Sequence, residues 1–98
     1  MLNAYERPRS RGANGKITVL VASAVTEKRR RWEHRLQDAY AICEVGERRA
    51  LEQIMRHLKP HVLLLDLCLP GLGGVRHMAR VQRLSPRTKI IALAPRWS

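Results

Sequence analysis

The chain has 98 residues, and its 19 lysines and arginines against 8 aspartates and glutamates give a formal net charge of +11. This length predicts one domain, and no apolar run approaches the roughly 18 residues of a membrane-spanning helix. The charge favours anionic partners such as nucleic acid, acidic proteins or lipid headgroups, but it carries no information about the fold. Two cysteines, Cys43 and Cys68, are too few for a disulfide scaffold. They predict reduced core thiols and a cytoplasmic protein.

The first elements divide the chain into an arm and a domain. Residues 1–15 mix arginine, proline, serine and glycine with few side chains that a core could bury, which predicts a flexible basic arm. The domain is expected over residues 16–98. It begins with the apolar strand ITVLVAS at 17–23. Thr26 is predicted to cap the first helix, and the apolar stripe of this helix comprises Val25, Trp32, Leu36 and Ala39.

Strands and helices then alternate with short connections. Strands are predicted at 41–45, 61–67 and 89–94, and helices at 47–59 and 75–84. The strands are too apolar to alternate between a buried and a solvated face, which favours a parallel sheet with helices on both faces. The sequence therefore predicts an α/β, doubly wound parallel sheet of about four strands and three helices. In such sheets ligands bind beyond the carboxyl ends of the strands.

The third predicted strand ends in an acidic residue followed by a loop rich in glycine. The segment is LLLDLCLPGLGG, residues 63–74, with Asp66 as its acid. A carboxylate at the end of a buried strand must be hydrated, paired, bound to a metal or reactive. The loop that follows is either a phosphate cradle or a turn that needs a positive φ. Its marker residues are Pro70, Gly71, Gly73 and Gly74.

These segments resemble the receiver domain of bacterial two-component response regulators. HVLLLDLCLPGLGG resembles the third strand and loop of that family, ITVLVASAVTEKRRRWEHRL its first strand and helix, and TKIIALAP its fourth strand. The resemblance covers about residues 16–95. It implies a flavodoxin-like fold with strand order 2-1-3-4 and a non-enzymatic module that signals by protein contact in a phosphorelay. It also implies a sensor histidine kinase as partner, Asp66 as the phosphoacceptor, and Pro70, Gly71 and Gly74 as the adjoining loop.

The chain departs from the family pattern around this aspartate. Ala22 and Ser23 stand where the family carries the acidic pair that helps to hold Mg²⁺, and Ala94 stands where it carries threonine or serine. The resemblance therefore implies a weak Mg²⁺ site, made by Asp66 and the backbone carbonyl of Cys68. Loss of such groups is expected to slow phosphoryl transfer by orders of magnitude. A phosphorylation-independent adaptor and a basic nucleic-acid-associated protein remain alternative functions.

Several other residues have two interpretations each. The basic run from Lys28 to Arg31, with Arg35, is either a phosphate-binding stripe or a solvated helix face, and we expect nucleic-acid binding to be weak and nonspecific at most. Trp32 is expected in the core, whereas Trp97 is terminal and undetermined. The histidines lack a metal-ligand spacing, and we expect surface or helix-end positions for His34, His57, His61 and His77.

A complete receiver has a fifth strand and two more helices, for which this sequence has no counterpart. The resemblance thus implies a C-terminally truncated and degenerate receiver. Its fourth strand, KIIALA at 89–94, is then an uncovered edge with unpaired backbone groups. An uncovered edge and an exposed apolar face both favour association with another chain. We therefore expect a homodimer, or a contact with a partner protein, through the fourth strand and the uncovered sheet face.

Overall fold

A computed structural model describes residues 16–72 and 75–94. The predicted arm at 1–15, Gly73, Gly74 and Trp97 lie outside these residues. Strands and helices alternate in the predicted order, and each boundary lies within a few residues of its predicted position. The elements are β1 (Ile17–Ala22), α1 (Thr26–Leu36), β2 (Tyr40–Val45), α2 (Arg48–His57), β3 (Val62–Asp66), α3 (Val75–Leu84) and β4 (Lys89–Leu93).

The described strands form one parallel sheet in the order β2-β1-β3-β4. The predicted α/β fold and strand order are therefore confirmed. Ala22, the last residue of β1, pairs with Leu65 in β3, and Asp66 pairs with Leu93 in β4. These three strands consequently end at the same edge of the sheet. The residues that follow β1 and β3 are brought together at this edge.

Helices cover the two faces of the sheet. One face packs against α2 and α3 through side chains that include Leu20, Leu51, Leu63, Leu65 and Val81. The other face packs against α1 through Val19, Val21, Ile42 and Leu64, together with Trp32 and Leu36. Because side chains alternate between faces along a strand, Asp66 lies on the same side as Leu64. The carboxylate is thus directed toward the side of the sheet that α1 covers.

The beginning of α1 differs from its prediction. Thr26 does not cap the helix; it is the first helical residue, and the cap position is Val25, which makes no side-chain capping hydrogen bond. The Val25 N–H donates instead to Ser23 Oγ at 3.1 Å. Val25 and Ala39 are exposed, so the apolar stripe that contacts the sheet is narrower than predicted. The reason is that Val25 and Ala39 lie outside the helix, which runs from Thr26 to Leu36.

Two backbone positions explain how α2 and the loop after β3 are shaped. Leu58 is the C-cap of α2, and Lys59, with a φ of 53°, takes the left-handed conformation before Pro60. Gly71 has a φ of 87°, which agrees with the interpretation of this loop as a turn that needs a positive φ. A Cβ at Gly71 would also lie 3.0 Å from Nε of Arg48. Both constraints favour glycine at this position.

Both cysteines are free, but only Cys43 is buried. The prediction that Cys68 is a core thiol is wrong, because the chain turns away from the sheet directly after Asp66 and leaves Cys68 on the surface. Within residues 16–72 and 75–94, no helix has both the length and the apolar character needed to cross a membrane.

Candidate functional site

Asp66 is a buried carboxylate with three polar partners. Its side chain is 4% exposed and ends β3 at the carboxyl edge of the sheet. Three groups surround the carboxylate. Oδ1 accepts a hydrogen bond from the Cys68 backbone N–H at 2.9 Å, and Oδ2 accepts one from Ser23 Oγ at 2.8 Å. Lys28 Nζ lies 3.4 Å from Oδ2. The carboxylate is therefore paired with a cation and hydrogen-bonded at both oxygens.

These partners set the charge state of Asp66. Burial by itself raises the pKa of this carboxyl, because it disfavours the ionised form. The hydrogen bonds from Cys68 and Ser23 and the positive charge of Lys28 outweigh burial, and they hold the pKa of Asp66 below its ordinary value of 3.8. Asp66 is consequently an ionised carboxylate throughout the neutral pH range.

This pKa shift predicts how stability changes in acid. Because the pKa of Asp66 is lower in the folded chain than in the unfolded chain, the carboxylate stabilises the fold above about pH 4. This contribution is lost as the pH falls through the lower, folded-state pKa. The Asp66→Asn variant has no carboxylate at this position and therefore cannot lose this contribution. We therefore expect urea titrations between about pH 6 and pH 3 to show the native chain losing stability relative to Asp66→Asn.

Glu44 contributes to the pH dependence of the unfolding free energy with the opposite sign. Burial raises the pKa of Glu44, and so do its hydrogen bond with Glu33 and the repulsion between them, while Arg29 lowers it only in part. Stability linked to Glu44 therefore falls as the pH rises through its pKa. Because Glu44 is present in both chains, the comparison with Asp66→Asn isolates Asp66. A difference in stability that does not change with pH would contradict the assigned shift.

Lys28 is the site residue that the sequence analysis missed. It lies in the first turn of α1, and its side chain is 21% exposed. In a β-α unit of a parallel sheet, the helix begins at the edge where the preceding strand ends. A signal was therefore available, because basic residues just after the start of α1 must lie near the carboxyl end of β3. The signal is hidden within a continuous run of basic residues, which by itself indicates one charged helix face.

Arg29 lies beside Lys28 and anchors the start of α1. Its Nη1 donates to the backbone carbonyl of Ser23 at 2.6 Å, and its Nε donates to Glu44 Oε1 at 3.2 Å. Gly46 leaves room for the guanidinium, since a Cβ there would lie 2.9 Å from Nη1. Lys28 and Arg29 thus turn toward the sheet edge, whereas Arg30 is exposed. The basic run of α1 is therefore not one continuous solvated stripe.

The glycine-containing loop continues from the site. The Leu69 N–H donates to the carbonyl of Asp66 at 3.0 Å, and the Leu72 N–H donates to the carbonyl of Leu69 at 3.2 Å. Leu69 is buried in the core, while Pro70 and Gly71 are exposed. The loop is therefore fixed to the fold at one point and open to solvent at its tip. Gly74, the last predicted loop residue, lies outside the described part of the chain.

The residues around Asp66 do not fit a resident divalent cation. Ala22 is fully buried and offers no oxygen from its side chain, and Ser23 supplies a neutral hydroxyl that already donates to Asp66. Mg²⁺ requires several oxygen ligands, usually including carboxylates. In the described residues, no three histidine, cysteine, aspartate or glutamate side chains form a group that could hold a metal ion. The ammonium of Lys28 would also repel a metal bound at Oδ2.

The histidines differ in their surroundings. His61 is exposed, as expected, and its Nδ1 accepts a hydrogen bond from the Thr18 N–H at 2.9 Å. His77 lies at a helix end, one of the two expected positions, in the first turn of α3, and its side chain is 11% exposed. Its Nε2 lies 3.1 Å from Glu52 Oε2 without forming a hydrogen bond. Arg48 also pairs with this carboxylate. The contact between His77 and Glu52 connects α3 with α2, whereas Arg48 and Glu52 both belong to α2.

Comparison with known proteins agrees with this geometry. Residues 16–96 match the family model described as the response regulator receiver domain. The chain belongs to the response regulator receiver domain family. The family resemblance given by residues 63–74 is thereby confirmed. Receiver domains are in general non-enzymatic signalling modules of two-component systems that interact with histidine kinases and other signalling proteins. They typically bind Mg²⁺ at an acidic pocket.

Each match to an individual relative spans only part of this chain and only part of the relative. The chain is 38% identical over 50 residues to the response regulator GacA of Pseudomonas protegens, a match that spans 51% of this chain and 22% of that protein. A signal receiver domain assigned to a Luxo repressor protein of Vibrio parahaemolyticus has a TM-score of 0.72 at 24% identity, with 81% of this chain and 62% of that one covered. The BeF3-activated DrrB receiver domain gives 0.68 at 18% identity, with coverages of 81% and 66%. The two structures support the receiver fold alone.

Proposed function

We propose that this chain is the receiver module of a response regulator that acts by protein contact in a phosphorelay, with Asp66 as its phosphoacceptor position. A sensor histidine kinase or another signalling protein is the proposed partner, and the cytoplasm is the proposed location. The module is not itself proposed to be an enzyme. The proposal combines the family with one observation, namely the ionised and oriented carboxylate of Asp66 at the carboxyl edge of the sheet.

The chemistry of this step requires an ionised oxygen that is held in place. A carboxylate oxygen of Asp66 attacks the phosphorus of a phosphohistidine, the P–N bond breaks, and the imidazole leaves with the electron pair and takes up a proton. Catalysis of phosphoryl transfer depends on positioning and on neutralising the phosphoryl oxygens. Cys68 and Ser23 supply positioning, since each donates a hydrogen bond to one carboxylate oxygen.

The proposal predicts a phosphoryl adduct on Asp66. Incubation of the chain with Mg²⁺ and a small acyl phosphate should add the mass of one phosphoryl group, measured by mass spectrometry of the intact chain. Asp66→Asn should abolish the adduct, because the amide is not a nucleophile. Asp38→Asn is the matched control, since Asp38 is an exposed aspartate. An adduct that persists in Asp66→Asn would place the modification elsewhere and refute this assignment.

One observation favours the alternative of a phosphorylation-independent adaptor. Asp66 already has an internal cation in Lys28, and Ala94 offers no hydroxyl for a phosphoryl oxygen at the end of β4. An adaptor would keep its partner affinity in Asp66→Asn and would acquire no adduct from any phosphodonor. A phosphorylated receiver would instead change its partner affinity only when the adduct forms.

A nucleic-acid function has less support. Lys28 and Arg29 pair with Asp66 and Glu44, so they do not form a free surface for the backbone phosphates of a nucleic acid. The expectation of weak, nonspecific binding therefore remains a prediction. Such binding should weaken steeply with added salt, as counterion release requires.

A further inference from the structure

The site contains a cation of its own at the place where the family pattern requires a metal. Lys28 Nζ lies 3.4 Å from Asp66 Oδ2, the same oxygen that accepts the Ser23 hydroxyl. The pair is partly shielded from solvent, because the side chain of Lys28 is 21% exposed and that of Asp66 is 4% exposed. An ion pair with so little solvent around it is screened less than a surface pair. The pair is therefore part of the site and not an incidental surface contact.

The fold around Lys28 keeps its charge at this edge. The neighbouring Arg29 ties the first turn of α1 to Ser23 and Glu44, which fixes the start of the helix against β1 and β2. The N-terminus of a helix also carries a partial positive charge, and α1 begins at Thr26, two residues before Lys28. The positive potential at Asp66 therefore comes from Lys28 and the start of α1, whereas the charge of Arg29 is paired with Glu44.

We propose that Lys28 is the built-in cation of this site: it neutralises Asp66 in place of a divalent metal and contacts the oxygens of a phosphoryl group carried there. The first half of this inference concerns the resting chain and stands on the observed ion pair. The second half rests on the proposed function. A lysine ammonium binds phosphate as a point charge with three donors, so it can replace a metal that would need several carboxylate ligands.

In the proposed transfer to Asp66, each bond that forms is matched by one that breaks, and no metal takes part. A carboxylate oxygen of Asp66 attacks the phosphorus of an acyl phosphate, and the new O–P bond replaces the bond between phosphorus and the acyl oxygen. The acyl carboxylate leaves with the electron pair of that bond, and no oxidation or net proton transfer occurs. Lys28 transfers no proton in this step, and its ammonium moves from a carboxylate oxygen to an oxygen of the transferred group.

Metal titrations test the first half independently of phosphorylation. The Cys68 amide resonance reports on the site, because this N–H donates to Asp66. In the native chain, added Mg²⁺ should bind no tighter than about millimolar. The double variant Ala22→Asp/Ser23→Asp should gain affinity, and adding Lys28→Gln to it should gain about another tenfold. Adding Arg30→Gln instead is the control, because it removes the same charge from an exposed position of the same helix.

The titrations overturn the inference if they give either of two results. One is micromolar Mg²⁺ binding by the native chain. The other is a Lys28→Gln substitution that raises the affinity of the double variant no more than Arg30→Gln does. In the first case another acid must approach Asp66. In the second case the ammonium does not occupy the position of the metal.

Labelling with an acyl phosphate tests the second half. The native chain should give the same rate of adduct formation in excess EDTA as in Mg²⁺, Lys28→Gln should lower that rate about tenfold, and Arg30→Gln should leave it unchanged. A strict requirement for Mg²⁺, or equal rates in the two variants, would refute the role of Lys28 in transfer. If no chain is labelled under any condition, the proposed function fails, while the Mg²⁺ titrations still decide whether Lys28 is the cation of the resting site.

Discussion

Leu65→Ala is expected to remove about 2–5 kcal/mol from the free energy of unfolding, because it opens a cavity in a core whose atoms relax only in part. Leu65 is fully buried, directly precedes Asp66, and lies between its paired residues Ala22 and Ala92. Domains of this size have a total stability of about 5–15 kcal/mol. The substitution should therefore remove a substantial share of the stability of the domain.

Leu67 provides a matched control on the other side of Asp66. It is the same residue type, but its side chain is 42% exposed. Truncation of an exposed side chain usually changes stability by less than about 0.5 kcal/mol. Urea unfolding followed by circular dichroism should therefore separate the two variants by several kcal/mol. Equal losses would mean that Leu67 is buried in solution, or that the core around Leu65 collapses to fill the space.

The same two substitutions test whether core packing around Leu65 positions the carboxylate of Asp66. Asp66 is positioned by the strand β3 that carries it. The backbone N–H of Leu67 donates to the carbonyl of Leu93 at 3.1 Å, and truncation of the Leu67 side chain leaves this hydrogen bond in place. Leu67→Ala should consequently keep the adduct on Asp66 at its native level. Leu65→Ala should reduce the adduct in proportion to the folded fraction. A loss of labelling in folded Leu65→Ala would show that the cavity displaces the carboxylate.

The fold was predictable because its signals are local. Apolar runs of strand length alternate with segments of helical periodicity, and short connections leave few topologies open. The position of Asp66 was predictable for the same reason, since it ends one such run. The turn at Gly71 followed from the need for a positive φ. None of these inferences requires knowledge of which side chains meet across the sheet.

The missed role of Lys28 depends on a contact between distant parts of the sequence. Lys28 and Asp66 are separated by 38 positions, and their contact depends on where α1 begins. The failed cap prediction for Thr26 concerns a shift of one position, which propensity does not resolve. The contact of His77 with Glu52 likewise depends on α3 packing beside α2. Charge runs and isolated histidines alone do not reveal such pairings.

The two edges of the sheet differ in how well they are covered. In β2, four of six residues are buried, whereas the β4 pattern contains no buried residue. In the described part of the chain, β4 pairs with β3 on one side only. Ile91 is 44% exposed, although it pairs with Leu64, which packs beneath α1. The apolar face that α1 covers thus continues to an edge with available backbone donors and acceptors.

We expect this edge to pair with a second copy of the chain, which would make a homodimer through β4 and the adjoining sheet face. An exposed apolar edge strand favours such pairing. The net charge of +11 opposes it, because two identical chains repel. Added salt screens this repulsion over a Debye length of about 8 Å at physiological ionic strength. Association should therefore strengthen with salt, whereas binding to nucleic acid would weaken.

Sedimentation velocity with two lysine substitutions tests this expectation. Ile91→Lys places a charge on the edge strand and should shift the chain to monomer. Ile17→Lys adds the same charge at an equally exposed isoleucine, 45% against 44%, but in the internal strand β1, and it should leave the dimer intact. Hydrogen exchange should show the amides of β4 gaining protection with concentration in the native chain and in Ile17→Lys, but not in Ile91→Lys. A monomer at about 100 μM in high salt, with β4 amides protected at every concentration, would contradict the prediction, because those amides would then have their partners within one chain.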